Sequence, residues 1–357
     1  MIAPGALHSQ EPVDLDRSGV GAPVFRIPAL AVTTAGTLIA AYDARPGGAD
    51  LPAPIALVLR RSTDDGATWG PRLLVRADTA PLGFGDPSLL VDDRTGRIFL
   101  FHAASVRQGF AGSGTGSAND DPEVLHADLS WSDDDGLTWR HRRLTSEIKQ
   151  RGWAGLFAAS GAGIQLRSGP HAGRLVQQFT VRREGGNYAV SVMSDDDGAT
   201  WRAGALVGPG LDENKSVELP DGSLLLNSRA RPYRLVARST DGGVTWSEPV
   251  PDPQLPDPAN NGAIIRYDPA AAPDDPRAQW LLFTNTADTL QRRALTLRLS
   301  CDGGRTWSRG RTVVPGPAGY STLAILPGGD VGLLFERGRY EAISFVRLPL
   351  ASIGGCR

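Results

Sequence analysis

Five copies of one octet, S-x-D-x-G-x-T-W, run through the chain and limit what it can fold into. They lie at 62–69 (STDDGATW), 132–139 (SDDDGLTW), 194–201 (SDDDGATW), 239–246 (STDGGVTW) and 300–307 (SCDGGRTW). Successive copies start 70, 62, 45 and 61 residues apart, so 357 residues hold six units of similar size. Self-similarity at such a period marks a repeat architecture. Asp followed by Gly makes a tight hairpin turn, with Gly free to take φ > 0. The Ser and Thr hydroxyls can bond local backbone, and the Trp is expected to open the next strand and pack back on the turn. Each octet follows a β-rich run, such as IALVLRRS (55–62), YAVSVMS (188–194) or ALTLRLS (294–300), and no long stretch shows helical periodicity.

A repeated β-unit of this length is a propeller blade of four strands. The expected fold is all-β, a six-bladed β-propeller of four-stranded antiparallel blades. One blade lacks an octet, and the sixth is closed by pairing the two ends of the chain. Residues 1–20 read as an N-terminal extension, and 21–357 as a single propeller domain. The Asp-rich octets read as hairpins at the blade periphery rather than metal loops, which leaves a functional site for the axis, where the innermost strands converge.

Composition removes several alternatives. Hydrophobic residues make up 41% and charged residues 21%, enough for a large core. No apolar run has the length of a membrane span, and a net charge of −2 gives no basic field for nucleic acid. Lysine occurs only at Lys149 and Lys215, so arginine supplies nearly all the positive charge. The two cysteines, Cys301 and Cys356, form one bridge or two buried thiols; two are too few for a disulfide framework or a structural zinc site. The first twenty residues lack a basic start followed by an apolar stretch, so the chain is either cytoplasmic or had a leader removed.

Common catalytic signatures are missing. The five histidines (His8, His102, His126, His141, His171) show no metal-ligand spacing, and there is no G-x-S-x-G elbow or Walker sequence. The run GSGTG at 112–116 breaks the dinucleotide fingerprint at Ser117 and reads as a loop. Three arginines stand out instead. Arg26 lies in FRIP (25–28), which opens the first strand, Arg229 ends the apolar strand LLLNSR (224–229), and Arg292 precedes ALTLRLS. They come from three units, so a ring could aim all three at its axis; the alternative is three surface arginines.

On these motifs the chain resembles the bacterial exo-sialidases (neuraminidases). The octets are similar to that family's Asp boxes, and FRIP to its F/Y-R-I-P signature. The segments DENKSVELPDGSLLLNSR (212–229), LPDPANN (255–261) and GYSTL (319–323) match its central and C-terminal segments. The resemblance runs from about residue 22 to the C-terminus. It implies a retaining exo-α-sialidase acting on terminal sialic acids of glycoproteins, glycolipids and oligosaccharides, as a monomer, with no cofactor and no metal site. It leaves open a trans-sialidase, a hydrolase of the deaminated sugar, or a non-catalytic sialic-acid lectin.

The resemblance also distributes roles. Arg26, Arg229 and Arg292 bind the substrate carboxylate, with Arg293 the rival for the third place. Adjacent residues of a strand face opposite ways, so only one of the pair can serve. Tyr320 is the nucleophile, a neutral phenol that the substrate carboxylate does not repel. Glu213 is its base, with Glu218 the competing choice. Asp50 is the acid/base in a Gly-rich loop, with Asp43 its rival. Arg45 contacts the sugar's 4-hydroxyl with Asp86 as its carboxylate partner, and Glu336 orients Arg26. Phe101, Phe110, Trp153 and Phe157 are candidates for the N-acyl pocket.

Overall fold

A computed structural model describes residues 11–78 and 82–356; His8 lies outside them. The fold is all-β, with the described strands in five sheets. The first sheet runs Val24–Val32, Leu38–Arg45, Ala56–Ser62, Leu73–Arg76, each strand antiparallel to the one before. The second repeats this with Gly83–Val91, Ile98–Ser105, His126–Ser132 and Arg140–Arg143, and the short strand Gly161–Ala162 adds parallel to its first strand. The third is built on Leu175–Arg183 and Gly186–Ser194, and the fourth runs from Asn214–Glu218 to Val250–Pro256.

The last sheet has seven strands because one of them, Arg311–Ile325, serves two neighbours in turn. Its first half pairs with Arg293–Ser300 and its second half with Val331–Arg337. The sheet thus divides at this strand into two groups of four. The outermost strand of the second group is Val13–Arg17, antiparallel to Ala342–Leu348. The expected pairing of the two ends of the chain is therefore present, and residues 13–17 belong to a sheet rather than to an extension. The segment VDLDR does not look like a strand because its acids hold neighbouring elements. Asp14 accepts from Arg337 and Ser344 of its own sheet, and Asp16 from Tyr42, Arg60 and Arg72 of the first sheet and the loop that follows.

Every octet occupies the same place: its Ser is the last residue of a third strand. In the first copy Ser62 Oγ donates to Asp64 and accepts the N–H of Gly66, while Asp64 accepts from both the N–H and the hydroxyl of Thr68. The other copies repeat this pattern around Asp134, Asp196, Asp241 and Asp302. Trp139 and Trp201 fold back on their own turns as expected, each Nε1 donating to the carbonyl of the octet's Gly, Gly136 or Gly198, at 3.2 Å, and some of the tryptophans also reach the next sheet. Trp69 packs edge-on against Phe345 of the last sheet, and Trp201 of the third sheet against Phe99 and Phe101 of the second. Each of these octets closes a hairpin and also joins it to the adjacent sheet. Cys301, inside the fifth octet, is bridged to Cys356, which resolves the choice the sequence left open.

Candidate active site

The first strands of several groups open on one common cavity, and at three of them the backbone is distorted there. Ile27 and Asp86 have φ of 60° and 61°, each precedes a proline, and each sits where the pairing register shifts. A third shift, between Ala318 and Ser321, brackets Tyr320. Bulges of this kind re-aim side chains, and they turn Arg26, Asp86 and Tyr320 into the cavity. The volume is about 400 Å³, lined also by Asp50, Glu213, Arg229 and Arg292, and by Leu51, Phe110, Leu125, Phe157, Asn187 and Asp212.

Glu336 is the fixed point beneath it. The side chain is fully buried and accepts from Arg26 Nε at 3.1 Å, Ile27 N at 2.9 Å and Tyr320 N at 2.8 Å. One carboxylate thus compensates the strained turn at Ile27 and joins two strands far apart in sequence. Gly319 is needed here, since a Cβ at that position would lie 1.9 Å from Glu336 Oε2.

Three arginines surround Tyr320. Arg229 Nη1 donates both to Glu213 Oε2, at 2.7 Å, and to the Tyr320 hydroxyl, at 2.8 Å. The guanidinium carbons of Arg26 and Arg292 each lie 5.3 Å from the centre of the Tyr320 ring. Burial and the Glu213 charge push the phenol well above its ordinary pKa near 10, against the opposing pull of the arginines. Burial also works against the charge of Arg26, where Glu336 and the tyrosines Tyr340 and Tyr320 outweigh it.

At the rim, Arg45 is buried and joins Asp43 (2.7 Å) to Asp50 (2.6 Å). Asp50 keeps 78% of its side chain exposed and lies 3.9 Å from Arg26. Asp43 is fully buried and also accepts the N–H of Asp86 at 3.1 Å. Burial raises Asp43 to about 6 in spite of Arg45, and burial, then the Asp43 charge, raises Asp86.

The predicted set therefore converges, and the rivals are separated by placement. Arg293 points outward to an ion pair with Asp288, and Glu218 caps the backbone of Arg167 and Ser168 away from the cavity. Phe110 and Phe157 line the cavity in an edge-to-face pair 4.9 Å apart. Phe101 and Trp153 do not: both are packed in the core between the second and third sheets, where their bulk fills space between strands. Tyr340 escaped the sequence reading. Its hydroxyl accepts from Arg292, and it carries no motif that would have marked it.

The chain matches the BNR repeat-like domain family over residues 28–333. It is 52% identical to a sialidase of Micromonospora viridifaciens over 99% of this chain, and 31% identical to an exo-alpha-sialidase of Aspergillus fumigatus over 94% of this chain and 86% of that protein. Among solved structures, the Hadza microbial sialidase Hz136 superposes with a TM-score of 0.86 at 31% identity, covering 96% of this chain and 69% of that one. The chain spans 56% of the Micromonospora protein and 60% of a Bacteroides fragilis sialidase that it also matches. On these matches the chain belongs to the sialidase family with BNR, or Asp-box, repeats.

Proposed function

We propose that the six groups of strands are the blades of one closed six-bladed propeller, and that its axial cavity hydrolyses terminal α-linked sialic acids from glycoconjugates with retention. The observation that carries this reading is the sharing of one Arg229 nitrogen between Glu213 and Tyr320, in a cavity that two further arginines enter. A sialoside bears a carboxylate on its anomeric carbon, and guanidinium groups match a carboxylate in charge and geometry. Arg26, Arg229 and Arg292 hold that group, and in doing so bring the anomeric carbon over Tyr320. The substrate carboxylate competes with Glu213 for Arg229. Glu213, so released, takes the phenolic proton as the Tyr320 oxygen attacks the anomeric carbon. The buried phenol is protonated at neutral pH and needs such a base.

Asp50, on an exposed loop at the rim, protonates the departing oxygen and then takes a proton from the water that cleaves the tyrosyl–sugar bond. Asp86, which lines the cavity, and Arg45, buried behind the rim against Asp43 and Asp50, bind the 4-hydroxyl, and Phe110 with Phe157 forms an apolar wall for the N-acyl group. The test is incubation with a fluorogenic α-sialoside, with NMR detection of the first free sugar. Release with the α-anomer formed first is expected. Absence of release, or the β-anomer first, overturns the proposal.

A further inference from the structure

The geometry points to Tyr340 as a positioning residue that sets the spacing of Arg26 and Arg292 and so tunes the site for a carboxylate. This rests on the reading of the cavity given above. The three arginines are not held alike. Arg26 is tied to Glu336 and Arg229 to Glu213, each by a carboxylate. Arg292 has no carboxylate in salt-bridge range among the described residues. Its contacts are Tyr340 Oη at 3.0 Å, the carbonyl of Ala259 at 3.4 Å and the face of the Tyr320 ring. A phenol oxygen can orient a guanidinium without neutralising it. Arg292 is therefore aimed by a neutral group, with its charge left for an incoming anion.

Tyr340 acts on Arg26 as well. The Arg26 guanidinium lies 4.2 Å from the centre of the Tyr340 ring, closer than its 5.3 Å approach to Tyr320. One side chain thus meets two arginines 266 positions apart in the chain, by ring face on one and by hydroxyl on the other. The backbone is strained to allow it. Tyr340 has φ of 67°, unusual for a bulky residue, and such outliers persist only where their surroundings enforce them. Here the turn between Val331–Arg337 and Ala342–Leu348 is fastened to the N-terminal segment. Ser18 Oγ donates to the Tyr340 carbonyl at 2.7 Å, and Ser18 N to the Glu341 carbonyl at 2.9 Å.

Three variants separate positioning from stability. Tyr340→Phe keeps the ring over Arg26 and loses the bond to Arg292. Tyr340→Leu loses both. Tyr340→Asn loses the ring but suits a left-handed backbone. Affinity is read with oseltamivir carboxylate and with its ethyl ester, which lacks the charge, alongside kcat and KM on a fluorogenic α-sialoside and the melting temperature. Carboxylate affinity is expected to fall about tenfold in the Phe variant and about a hundredfold in the Leu and Asn variants. The ester should change less than about threefold, KM should rise more than kcat falls, and the Asn variant should melt no lower than wild type. Equal losses for carboxylate and ester, or an unchanged Leu variant beside a wild type that binds, overturn the assignment to Tyr340 alone. A wild type that neither binds the carboxylate nor cleaves the sialoside overturns the reading of the cavity and this inference with it.

Discussion

Glu336 Oε2 accepts the backbone N–H of Tyr320 at 2.8 Å, and Oε1 of the same carboxylate holds Arg26. The charge is fully buried, and an amide in its place cannot serve the same donors equally well. Glu336→Gln is expected to lower stability by roughly 3–5 kcal/mol, the range for breaking a buried ion pair. It should also lower kcat/KM by about a hundredfold or more, because Tyr320 and Arg26 lose a common support. Denaturant unfolding and steady-state kinetics on the same preparation check both.

On the proposed mechanism Tyr320→Phe removes the attacking oxygen and leaves the arginines in place. Turnover should fall by on the order of a thousandfold, while affinity for a carboxylate-bearing inhibitor stays within a few-fold of wild type. A variant that keeps wild-type kcat removes Tyr320 from the chemistry.

Asp50 and Asp43 both pair with Arg45, yet one is exposed and the other buried. Asp50→Ala should cripple cleavage of natural sialosides, whose leaving alcohols need a proton, and affect activated aryl sialosides much less. Asp43→Ala leaves Arg45 without its buried partner, so it should cost about 3–5 kcal/mol of stability and show no leaving-group selectivity. The measurement is kcat/KM for both substrates in both variants; equal slowing of both substrates in Asp50→Ala removes its acid/base role.

Lys215 follows Glu213 by two residues and is buried, with Nζ donating to Asn261 at 3.0 Å. Burial depresses its pKa from 10.5 to about 7, against the opposing effects of Glu213 and Asp212 and in concert with Arg234. Between those two values the unfolded chain binds the proton and the folded one does not, so stability rises with pH from about 7 to about 10. Lys215→Met should remove that slope, a difference of about 2 kcal/mol between pH 7 and pH 9. Unfolding free energies of both proteins at pH 7, 8 and 9 test it; parallel curves show that the slope has another source.

The bridge between Cys301 and Cys356 fastens the C-terminal residues to the fifth octet. Cys356→Ser is expected to cost roughly 2 kcal/mol and to leave kcat/KM unchanged, because neither cysteine lines the cavity. Melting temperatures with and without reductant should differ for the wild type and coincide for the variant.

Much of this architecture is legible in the sequence because its signals are local. An octet makes its own turn from its own Ser, Asp, Gly and Thr, and alternation along a strand says that Arg292 and Arg293 cannot both face one cavity. What escaped depends on partners distant in the chain. Asp14 and Asp16 lie in a segment that reads as an extension until Arg337 and Arg60 are placed beside them. Phe101 and Phe110 are both aromatic residues near apolar runs, and only packing makes one core and the other cavity wall. Tyr340 owes its place to a left-handed backbone and to arginines that the chain brings from 48 and 314 residues away.

The strand Val13–Arg17 has a consequence for biosynthesis. It precedes every other described strand in the chain, and its partner Ala342–Leu348 follows them all. The bond from Ser344 to Asp14 spans 330 residues. Contacts so distant in sequence form slowly, since the intervening chain must first be ordered. The other sheets draw on strands nearer to one another in sequence, but the last one cannot gain its outer strand until Ala342–Leu348 has been made. Until then Val13–Arg17 is without its partner, an unpaired strand of the kind through which partly folded chains associate.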